Sequence, residues 1–470
     1  MNGGHRFDPT VLREYDIRGV VGRTLGRDDA EAIGRAFATI AMRDGSSKTI
    51  CVGYDGRVSS PNLEAALIAG LNAAGANVIR IGLGPTPMLY YSVHCLETDG
   101  GIMVTGSHNP PDNNGFKFML GKSSFFGTGI QELGALAAEG AYREGRGTQR
   151  EDLMLARYVA RLSEESASLS PLKVVWDAGN GAAGEAMALL TLNLPGEHFL
   201  LNERIDGSFP AHHPDPTVPE NLIQLIAAVR AGSCDLGIAF DGDGDRIGIV
   251  DGDGEILWGD QILALLAREV LRKQPNATII ADVKASQVLF DEVVRLGGTP
   301  LMWRTGHSLI KAKMAETGAP LAGEMSGHIF FADRYFGYDD ALYAAVRLLG
   351  LIAEEGQSLA TLRASLPERI NTPELRFSCD DARKFDAIEE VYQRLAESNA
   401  DVNAIDGVRV STADGWWLLR ASNTQPVLVA RCEAKDMAGL ARLKKALVMQ
   451  LSESGIQPPN FYEHDGENKL

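Results

Sequence analysis

The chain has few cysteines, and their placement excludes the usual cysteine-based architectures. Its 470 residues include five cysteines, an odd number, and none of them forms a Cys-x-x-Cys pair. Disulfide frameworks and zinc knuckles both depend on closely spaced, paired cysteines, so neither is expected. A reducing, cytoplasmic location fits instead. The cysteines are Cys51, Cys95, Cys234, Cys379 and Cys432.

An excess of basic charge and long apolar runs are also missing. Lysine and arginine together number 45 against 62 aspartates and glutamates, which gives a net charge of −17. A protein that coats nucleic acid or an anionic membrane needs the opposite sign, so neither is an expected partner. No window of about 18 residues is apolar and uncharged, and residues 1–10 lack the pattern of a secretory signal. The sequence therefore predicts a soluble cytoplasmic protein in which any anionic substrate binds a local basic pocket.

The sequence is rich in glycine and alternates between two kinds of apolar pattern. Its 51 glycines lie largely in short loops after apolar runs, where the backbone can approach a ligand. Short β-branched runs alternate with helical spacing over 49–105, 172–245 and 277–328, which predicts three similar α/β units. From about residue 371 the pattern indicates a smaller α+β domain. The predicted domains are 1–150, 151–254, 255–368 and 369–470.

A glycine-rich turn follows the first strand of the second unit. The segment GNGAAG, Gly179 to Gly184, opens a helix, and Glu203 lies about twenty residues further on, which matches the dinucleotide-binding fingerprint. On its own, this turn would suggest an NAD-dependent oxidoreductase. Glycines in tight strand-to-helix turns are common in any α/β protein, so we favour a turn without a ligand over the nicotinamide hypothesis.

Aspartate alternates with glycine in the segment DGDGDR, between two β-like runs. Its carboxylates can converge on a hard cation through oxygen ligands. An EF-hand loop would place glycine at its sixth position and glutamate at its twelfth, but Arg246 and Gly252 stand there, which excludes that site. Clustered carboxylates repel one another without a cation, so the segment favours a Mg²⁺ site. The predicted ligands are Asp241, Asp243 and Asp245.

A second Asp- and Gly-rich segment, DGDGE, begins at Asp251. It also lies between two strand-like runs, where Asp-Gly is the strongest short-range signal of a hairpin turn. We therefore predict a plain hairpin rather than another metal site.

The segment VTGSHNPPDNNGFKF places a hydroxyl on a turn after an apolar strand. Ser107 is flanked by glycine and proline, His108 adjoins it, and Lys117 follows the turn. Turns rich in Asn and Pro are usually only turns. A serine at the carboxyl edge of a sheet, together with a predicted Mg²⁺ site and basic residues, suits phosphoryl transfer through a phosphoserine.

Two more motifs carry groups suited to a sugar phosphate. GEMSGH offers Glu324 and Ser326 for sugar hydroxyls and His328 for acid-base work. LLRASNTQP gathers a guanidinium, two hydroxyls and an amide suited to phosphate. The residues of that motif are Arg420, Ser422, Asn423 and Thr424. Single residues that would add to the pocket are Tyr15, Arg18, Lys284, His307 and Arg431.

Taken together, EYDIRG, TGSHNP, DGDGDR, GEMSGH and RASNTQP resemble the motifs of the α-D-phosphohexomutase superfamily in order and rough spacing, over essentially the whole chain. The methionine at Met325 is most similar to the bacterial phosphomannomutase/phosphoglucomutase branch, whereas phosphoglucosamine mutases carry glutamine there. The resemblance implies three similar α/β domains with mixed sheets and a smaller α+β C-terminal domain, arranged around a central cleft. It also implies that HHPDP, from His212 to Pro216, is a structural loop.

The resemblance further implies interconversion of the 1- and 6-phosphates of mannose and glucose. Ser107 would carry the phosphoryl group, and an oxygen of that phosphoserine would bind Mg²⁺ together with the three aspartates. Glucose 1,6-bisphosphate would act as the activator. Small hexose phosphates are the expected partners, and the oligomeric state is open, a monomer included.

The remaining roles follow from the same resemblance. Glu324 and Ser326 would bind sugar hydroxyls, and Tyr15 with the RASNTQP residues would bind the phosphate that is not transferred. The reaction centre would be lined by Arg18, Lys117, Arg246, Lys284, His307 and His328. His328 and Lys117 are both candidates for the general base. The alternatives are a phosphoglucosamine mutase, the NAD-dependent oxidoreductase, and a non-catalytic sugar-phosphate-binding protein.

Overall fold

The computed structural model describes residues 3–423, 425–459 and 461. Its strands form four separate sheets, which follow one another along the chain. Thr424, one of the predicted phosphate-binding residues, lies outside the described residues. None of the described helices combines the length and the apolar character needed to cross a bilayer.

The first sheet has the order β1-β5-β4-β2-β3-β7, with β6 beside β5. Strands β2, β3 and β4 run parallel, whereas β5 is antiparallel to β4 and β1, so the sheet is mixed. Its elements are β1 (Ile17–Val20), α1 (Arg27–Ala41), β2 (Thr49–Tyr54), α2 (Ser60–Ala74), β3 (Asn77–Leu83), α3 (Thr86–Cys95), β4 (Gly100–Val104), β5 (Asn113–Leu120), β6 (Ser123–Ser124), α4 (Thr128–Glu139) and β7 (Gln149–Glu151).

The second sheet has the order β12-β11-β10-β8-β9. Its first three strands in sequence are parallel neighbours, and β11 then returns antiparallel to β10. The elements are α5 (Leu155–Ser163), β8 (Leu172–Asp177), α6 (Gly184–Thr191), β9 (Gly196–Leu201), α7 (Ile223–Gly232), β10 (Leu236–Phe240), β11 (Ile247–Asp251) and β12 (Ile256–Leu257).

The third sheet, β14-β13-β15-β16-β17, repeats this plan of parallel strands followed by an antiparallel return. Its elements are α8 (Gly259–Lys273), β13 (Thr278–Asp282), α9 (Gln287–Arg295), β14 (Thr299–Trp303), α10 (His307–Thr317), β15 (Leu321–Gly323), β16 (Ile329–Phe331), β17 (Tyr338–Asp339), α11 (Ala341–Glu355) and α12 (Leu359–Ala364).

The fourth sheet is antiparallel, with the order β18-β23-β22-β21-β20 and β19 beside β23. Its elements are β18 (Ile370–Asn371), β19 (Leu375–Ser378), α13 (Asp381–Glu397), β20 (Asp401–Asn403), β21 (Val408–Ser411), β22 (Gly415–Ala421), β23 (Val427–Ala434) and α14 (Met437–Glu453). Three mixed α/β sheets and one α+β unit confirm the predicted fold class.

The hydrophobic cores divide the molecule differently from the sheets. One continuous cluster joins the first three sheet units and includes Met103, Trp176 and Tyr343. The C-terminal unit has its own core around Trp417 and contributes Trp416 to a small apolar cluster with Val283. Because apolar burial is the main cohesive force between packed elements, the first three units are held together far more strongly than the fourth is held to them.

Candidate active site

The chain places Ser107 just after β4, at the carboxyl end of that strand. Its backbone has a φ of +49°, a conformation that non-glycine residues rarely adopt and that is concentrated at functional sites. The side-chain oxygen lies 3.1 Å from Asp241 Oδ2 and 3.2 Å from His108 Nδ1. The serine hydroxyl is therefore held in a strained turn and directed at the carboxylate loop.

Arg57 shapes this turn, and the sequence reasoning missed it. Its guanidinium donates to four main-chain carbonyls of the serine turn, while Asp55 Oδ2 accepts the Gly106 N–H at 3.2 Å. Both side chains are almost fully buried. The sequence did contain a signal for Arg57. The segment Asp-Gly-Arg follows β2, and β2 is a parallel neighbour of β4, so both strands end at the same edge of the sheet. The four carbonyls belong to Ser107, Asn109, Pro110 and Asn113.

The predicted metal ligands lie on the loop from β10 to β11, and all three are completely buried. Asp241 Oδ1 accepts the backbone N–H groups of Asp245 and Arg246, both at 3.1 Å. Lys117 reaches the loop from β5 and donates to Asp243 Oδ2 at 2.7 Å and to Asp245 Oδ2 at 2.5 Å. The carboxylates are thus drawn together by main-chain donors and one ammonium group.

The chemistry of this loop fits a magnesium ion. Burial, together with repulsion from Asp243 and Asp245, raises the pKa of Asp241 well above its ordinary value. The oxygens Asp243 Oδ1 and Asp245 Oδ1 are buried without a hydrogen-bond partner among the described residues. Carboxylate oxygens in a compact group are what Mg²⁺ binds in proteins. The donor set contains neither sulfur nor nitrogen, which argues against a softer metal.

The glycine-rich turn at Gly179–Gly184 supports the carboxylate loop. The Ala182 N–H donates to the Gly242 carbonyl at 2.9 Å, and Gly181 and Gly184 donate to carbonyls of the turn itself. A Cβ on Gly184 would lie 2.0 Å from the Glu203 carbonyl oxygen. These amides are already bonded, so they are not free to bind a pyrophosphate as a dinucleotide site requires. The glycines are explained by close packing instead.

The loop between β15 and β16 brings the GEMSGH groups to the same centre. Arg246 Nε donates to His328 Nε2 at 3.0 Å, and His328 Nδ1 lies 3.1 Å from Asp339 Oδ2. Glu324 Oε1 accepts the Gly306 N–H at 2.7 Å. Ser326 is half-buried on the same turn.

Two further histidines lie near this centre. Burial, assisted by nearby cations, lowers the pKa of His108 and of His307 well below the ordinary value. Both rings are therefore neutral at physiological pH. His307 stacks on His328 with their ring centroids 5.5 Å apart.

The phosphate motif lies at the end of β22 and in the turn that follows. Arg420 pairs with Asp406, and Asn423 Nδ2 donates to the Tyr15 hydroxyl at 2.7 Å. Burial raises the pKa of Tyr15 to about 12, so this hydroxyl stays protonated and can donate. Ser422 is buried beside Arg420. The predicted residues from the two ends of the chain are thus brought into contact.

Comparisons with known proteins agree with this geometry. Family models for phosphoglucomutase/phosphomannomutase match four consecutive segments. These are α/β/α domain I over 9–133, domain II over 156–254, domain III over 258–370 and the C-terminal domain over 374–450. The chain belongs to the phosphoglucomutase/phosphomannomutase family.

Relatives of this mutase match it over nearly their full length. The chain is 44% identical to a phosphomannomutase/phosphoglucomutase of Pseudomonas aeruginosa, over 94% of this chain and 95% of that one. It is 42% identical to a phosphoglucomutase of Neisseria gonorrhoeae, over 92% and 95%. A crystal structure of a family protein from Burkholderia thailandensis superposes with a TM-score of 0.90 at 43% identity, over 97% and 99%. The chain is therefore an enzyme, a phosphohexomutase.

Not every predicted site residue of the mutase lies close to Ser107. Arg18 does, since its Nη1 donates to Asn109 Oδ1 at 3.0 Å on the serine turn. Lys284 instead pairs with Glu374 at 2.9 Å, and Arg431 Nη1 donates to the Lys284 carbonyl at 2.5 Å. These two cations lie where the third and fourth units of the mutase meet.

Besides Arg57, the sequence reasoning missed two buried or nearly buried carboxylates of this mutase. Asp339 lies between His328 and Lys311, which donates to it at 2.8 Å. Asp406 lies beside Arg420. Each is a single residue outside any motif, and its partners are distant in the sequence, so no local pattern pointed to either.

Proposed function

We propose that this mutase interconverts the 1- and 6-phosphates of mannose and glucose through a phosphorylated Ser107 and a hexose 1,6-bisphosphate. The observation that carries the proposal is the position of the Ser107 hydroxyl, 3.1 Å from the buried carboxylate loop. Lys117 donates to that loop, Arg246 stands at its end, and Arg18 donates to the serine turn. Phosphoryl transfer is promoted chiefly by positioning and by positive charge around the transferring group. A serine in this setting suits a phosphoryl carrier.

In the first step, the bond between phosphorus and the Ser107 oxygen breaks while a bond forms to the free hydroxyl of the hexose phosphate. The proton of that hydroxyl leaves as the new bond forms. Of the two candidate bases, Lys117 already holds its proton as an ammonium paired with Asp243 and Asp245, so His328 is the group proposed to accept it. The bisphosphate then turns around and returns its other phosphoryl group to Ser107. Because either end of the sugar must be held in turn, one phosphate-binding motif at Arg420 and Asn423 serves both orientations.

We assign the metal to the buried carboxylate loop. Asp241, Asp243 and Asp245 would hold Mg²⁺ together with an oxygen of the phosphoserine. When bound, the ion would supply positive charge that stabilises the transferring phosphoryl group. The protein's own contribution is to keep Asp241 fixed by its two main-chain hydrogen bonds, so that the ligands need little rearrangement.

We also propose that each of the four domains contributes a different part of the active site. Residues 1–150 carry the phosphoserine, 151–254 the metal, 255–368 the sugar-recognition residues and 369–470 the phosphate motif. Glu324 and Ser326 would bind sugar hydroxyls, with Lys284, His307 and Arg431 adding to the walls of the cleft. The enzyme would act in the cytoplasm, where its five free thiols stay reduced, with no nucleic acid or membrane partner.

A ³¹P NMR time course tests this function. The enzyme is given Mg²⁺, a trace of glucose 1,6-bisphosphate, and either glucose 1-phosphate or mannose 1-phosphate, and conversion of both to their 6-phosphates is expected. Ser107→Ala should bind substrate without turnover, whereas Ser123→Ala, an exposed serine of the same domain, should behave as wild type. Appreciable activity in Ser107→Ala would overturn the assignment. Conversion of glucosamine 1-phosphate alone would favour the phosphoglucosamine mutase alternative.

A further inference from the structure

The loop at Thr305–Gly306 is a meeting point of three domains. The Thr305 carbonyl accepts from the Tyr15 hydroxyl at 2.9 Å, and the Thr305 N–H donates to Asp406 Oδ2 at 3.0 Å. The Gly306 N–H is held by Glu324. Gly306 has a φ of +136°, and a Cβ there would lie 2.6 Å from the Tyr15 ring, so the close approach requires glycine. Backbone groups of one short loop thus connect the N-terminal domain, the sugar motif and the C-terminal domain.

Asp406 binds the arginine of the phosphate motif as well as this loop. Arg420 donates to its two carboxylate oxygens through Nε at 3.0 Å and Nη2 at 3.3 Å. The two side chains are only 7% and 8% exposed, which strengthens the pair. A guanidinium has five N–H donors in a fixed plane. Among the described residues, this side-on pairing leaves those on Nη1 of Arg420 available to an anion. The Asp406 carboxylate therefore orients the Arg420 guanidinium without using all of its N–H donors.

The phosphate motif reaches the same loop by a second path. Asn423 donates to the Tyr15 hydroxyl, which in turn donates to the Thr305 carbonyl. The C-terminal domain has its own hydrophobic core, so its position depends strongly on such polar contacts. These contacts differ from the Lys284–Glu374 pair because they lead directly to the proposed sugar-binding carboxylate, Glu324.

We propose that Asp406 is a positioning residue that orients Arg420 and couples phosphate binding by the C-terminal domain to sugar binding by Glu324 through the Thr305–Gly306 loop. This inference rests on the proposed function of the site. Asp406 acts through Arg420 and through the Thr305 N–H. Its consequence is that the sugar and phosphate groups of one substrate are bound cooperatively, which raises the fraction of bound substrate in a productive position.

The first test compares Asp406→Asn with a matched control. Asp414 also pairs side-on with an arginine of the C-terminal domain, Arg442, at 2.7 and 2.6 Å, but this pair is far more exposed, at 30% for Asp414 and 59% for Arg442. We expect Asp406→Asn to raise KM for mannose 1-phosphate roughly tenfold or more, with a smaller change in kcat, and Asp414→Asn to match wild type. An unchanged KM in Asp406→Asn would overturn the proposal. A lower KM would also overturn it, since Asp406 would then compete with phosphate for Arg420.

The second test is a double-mutant cycle on substrate binding. Calorimetry measures the Kd of glucose 1-phosphate in a Ser107→Ala background for Asp406→Asn, Glu324→Gln and the double variant. Independent residues have multiplicative effects on Kd, whereas coupling through the Thr305–Gly306 loop makes the double variant several-fold tighter than that product. A multiplicative result would overturn the coupling.

Two controls keep these tests decisive. If Asp406→Asn does not fold, Asp406→Glu keeps the charge while displacing the carboxylate, and the same direction of change is expected in both measurements. Wild-type turnover tests the proposed function separately. An active wild-type enzyme with a multiplicative cycle would contradict only the coupling role of Asp406 and leave the proposed function intact.

Discussion

Two Asp- and Gly-rich loops border the same strand, β11, and use their carboxylates differently. At its start, Asp243 and Asp245 each keep a buried oxygen without a hydrogen-bond partner in the described structure. At its end, Asp251 Oδ1 accepts the N–H groups of Asp253 and Glu255, both at 3.0 Å, and Oδ2 accepts from Arg363 at 2.7 Å. The first loop therefore keeps carboxylate oxygens that can still bind a metal ion, whereas both oxygens of Asp251 in the second loop already accept hydrogen bonds from the protein. Composition and strand-like flanks are the same for both loops, and each joins two antiparallel strands. The hairpin predicted at Asp251 is confirmed.

The largest expected difference between substitutions in the two loops is in kcat. We expect Asp241→Asn to lower kcat by about 10²–10³-fold, because the charge that holds the proposed metal beside Ser107 is reduced. The amide oxygen can still accept the backbone N–H groups, so the fold should persist. Steady-state kinetics with excess Mg²⁺ measures the loss, and circular dichroism checks the fold. A kcat within a few-fold of wild type would remove the loop from the active site.

Metal-dependent stability gives the next largest difference. At a Mg²⁺ concentration about a hundred times its Kd, binding to the folded state stabilises it by about 2.7 kcal/mol. Thermal unfolding with Mg²⁺ and with a chelator should show this shift in wild type and in Asp251→Asn, but not in Asp241→Asn. Equal shifts in all three proteins would place the metal elsewhere.

The hairpin carboxylate should affect stability instead of turnover. Replacing Asp251 by Asn weakens the buried contact with Arg363, which we expect to lower the free energy of unfolding by about 1–2 kcal/mol. Asp253→Asn, an exposed residue of the same turn, is the control and should be neutral. Urea unfolding gives the stability, and kcat should stay close to wild type in both. A selective loss of kcat in Asp251→Asn would contradict a purely structural role for the second loop.

The smallest expected effect concerns the loop that packs against the metal site. His212 donates to Asp177 at 2.9 Å, and this hydrogen bond raises the pKa of His212 above its ordinary value of 6.5. A raised folded-state pKa gives stability that is present in full below the unfolded pKa and is lost as pH rises through the folded pKa. The stability gap between wild type and His212→Gln should therefore be larger at about pH 5.5 than at about pH 8.5. A gap that widens with rising pH would contradict the sign.

The sequence predicted well whatever was encoded within a few neighbouring residues. Apolar periodicity indicated the three α/β units, and the chemistry of TGSHNP, DGDGDR and RASNTQP lies at strand ends, where loops meet. Arg57 and Asp406 could not be found from a local motif. Arg57 acts on the Ser107 carbonyl 50 positions away, and Asp406 binds Arg420 14 positions away and the Thr305 N–H 101 positions away. The glycines at Gly179–Gly184 match a dinucleotide fingerprint without forming such a site. Crowding against Glu203 and a dinucleotide turn require the same residue type.

The ammonium of Lys117 has a consequence for how this protein is made. Because it already neutralises part of the charge between Asp243 and Asp245, the chain can close its acidic loop during biosynthesis without waiting for a metal ion. On the proposed function, the metal would then be needed for turnover and not for folding, unlike in small zinc domains that are unfolded without their ion. A cell short of magnesium would keep its stock of folded enzyme and recover flux as soon as the ion returned, with no new synthesis.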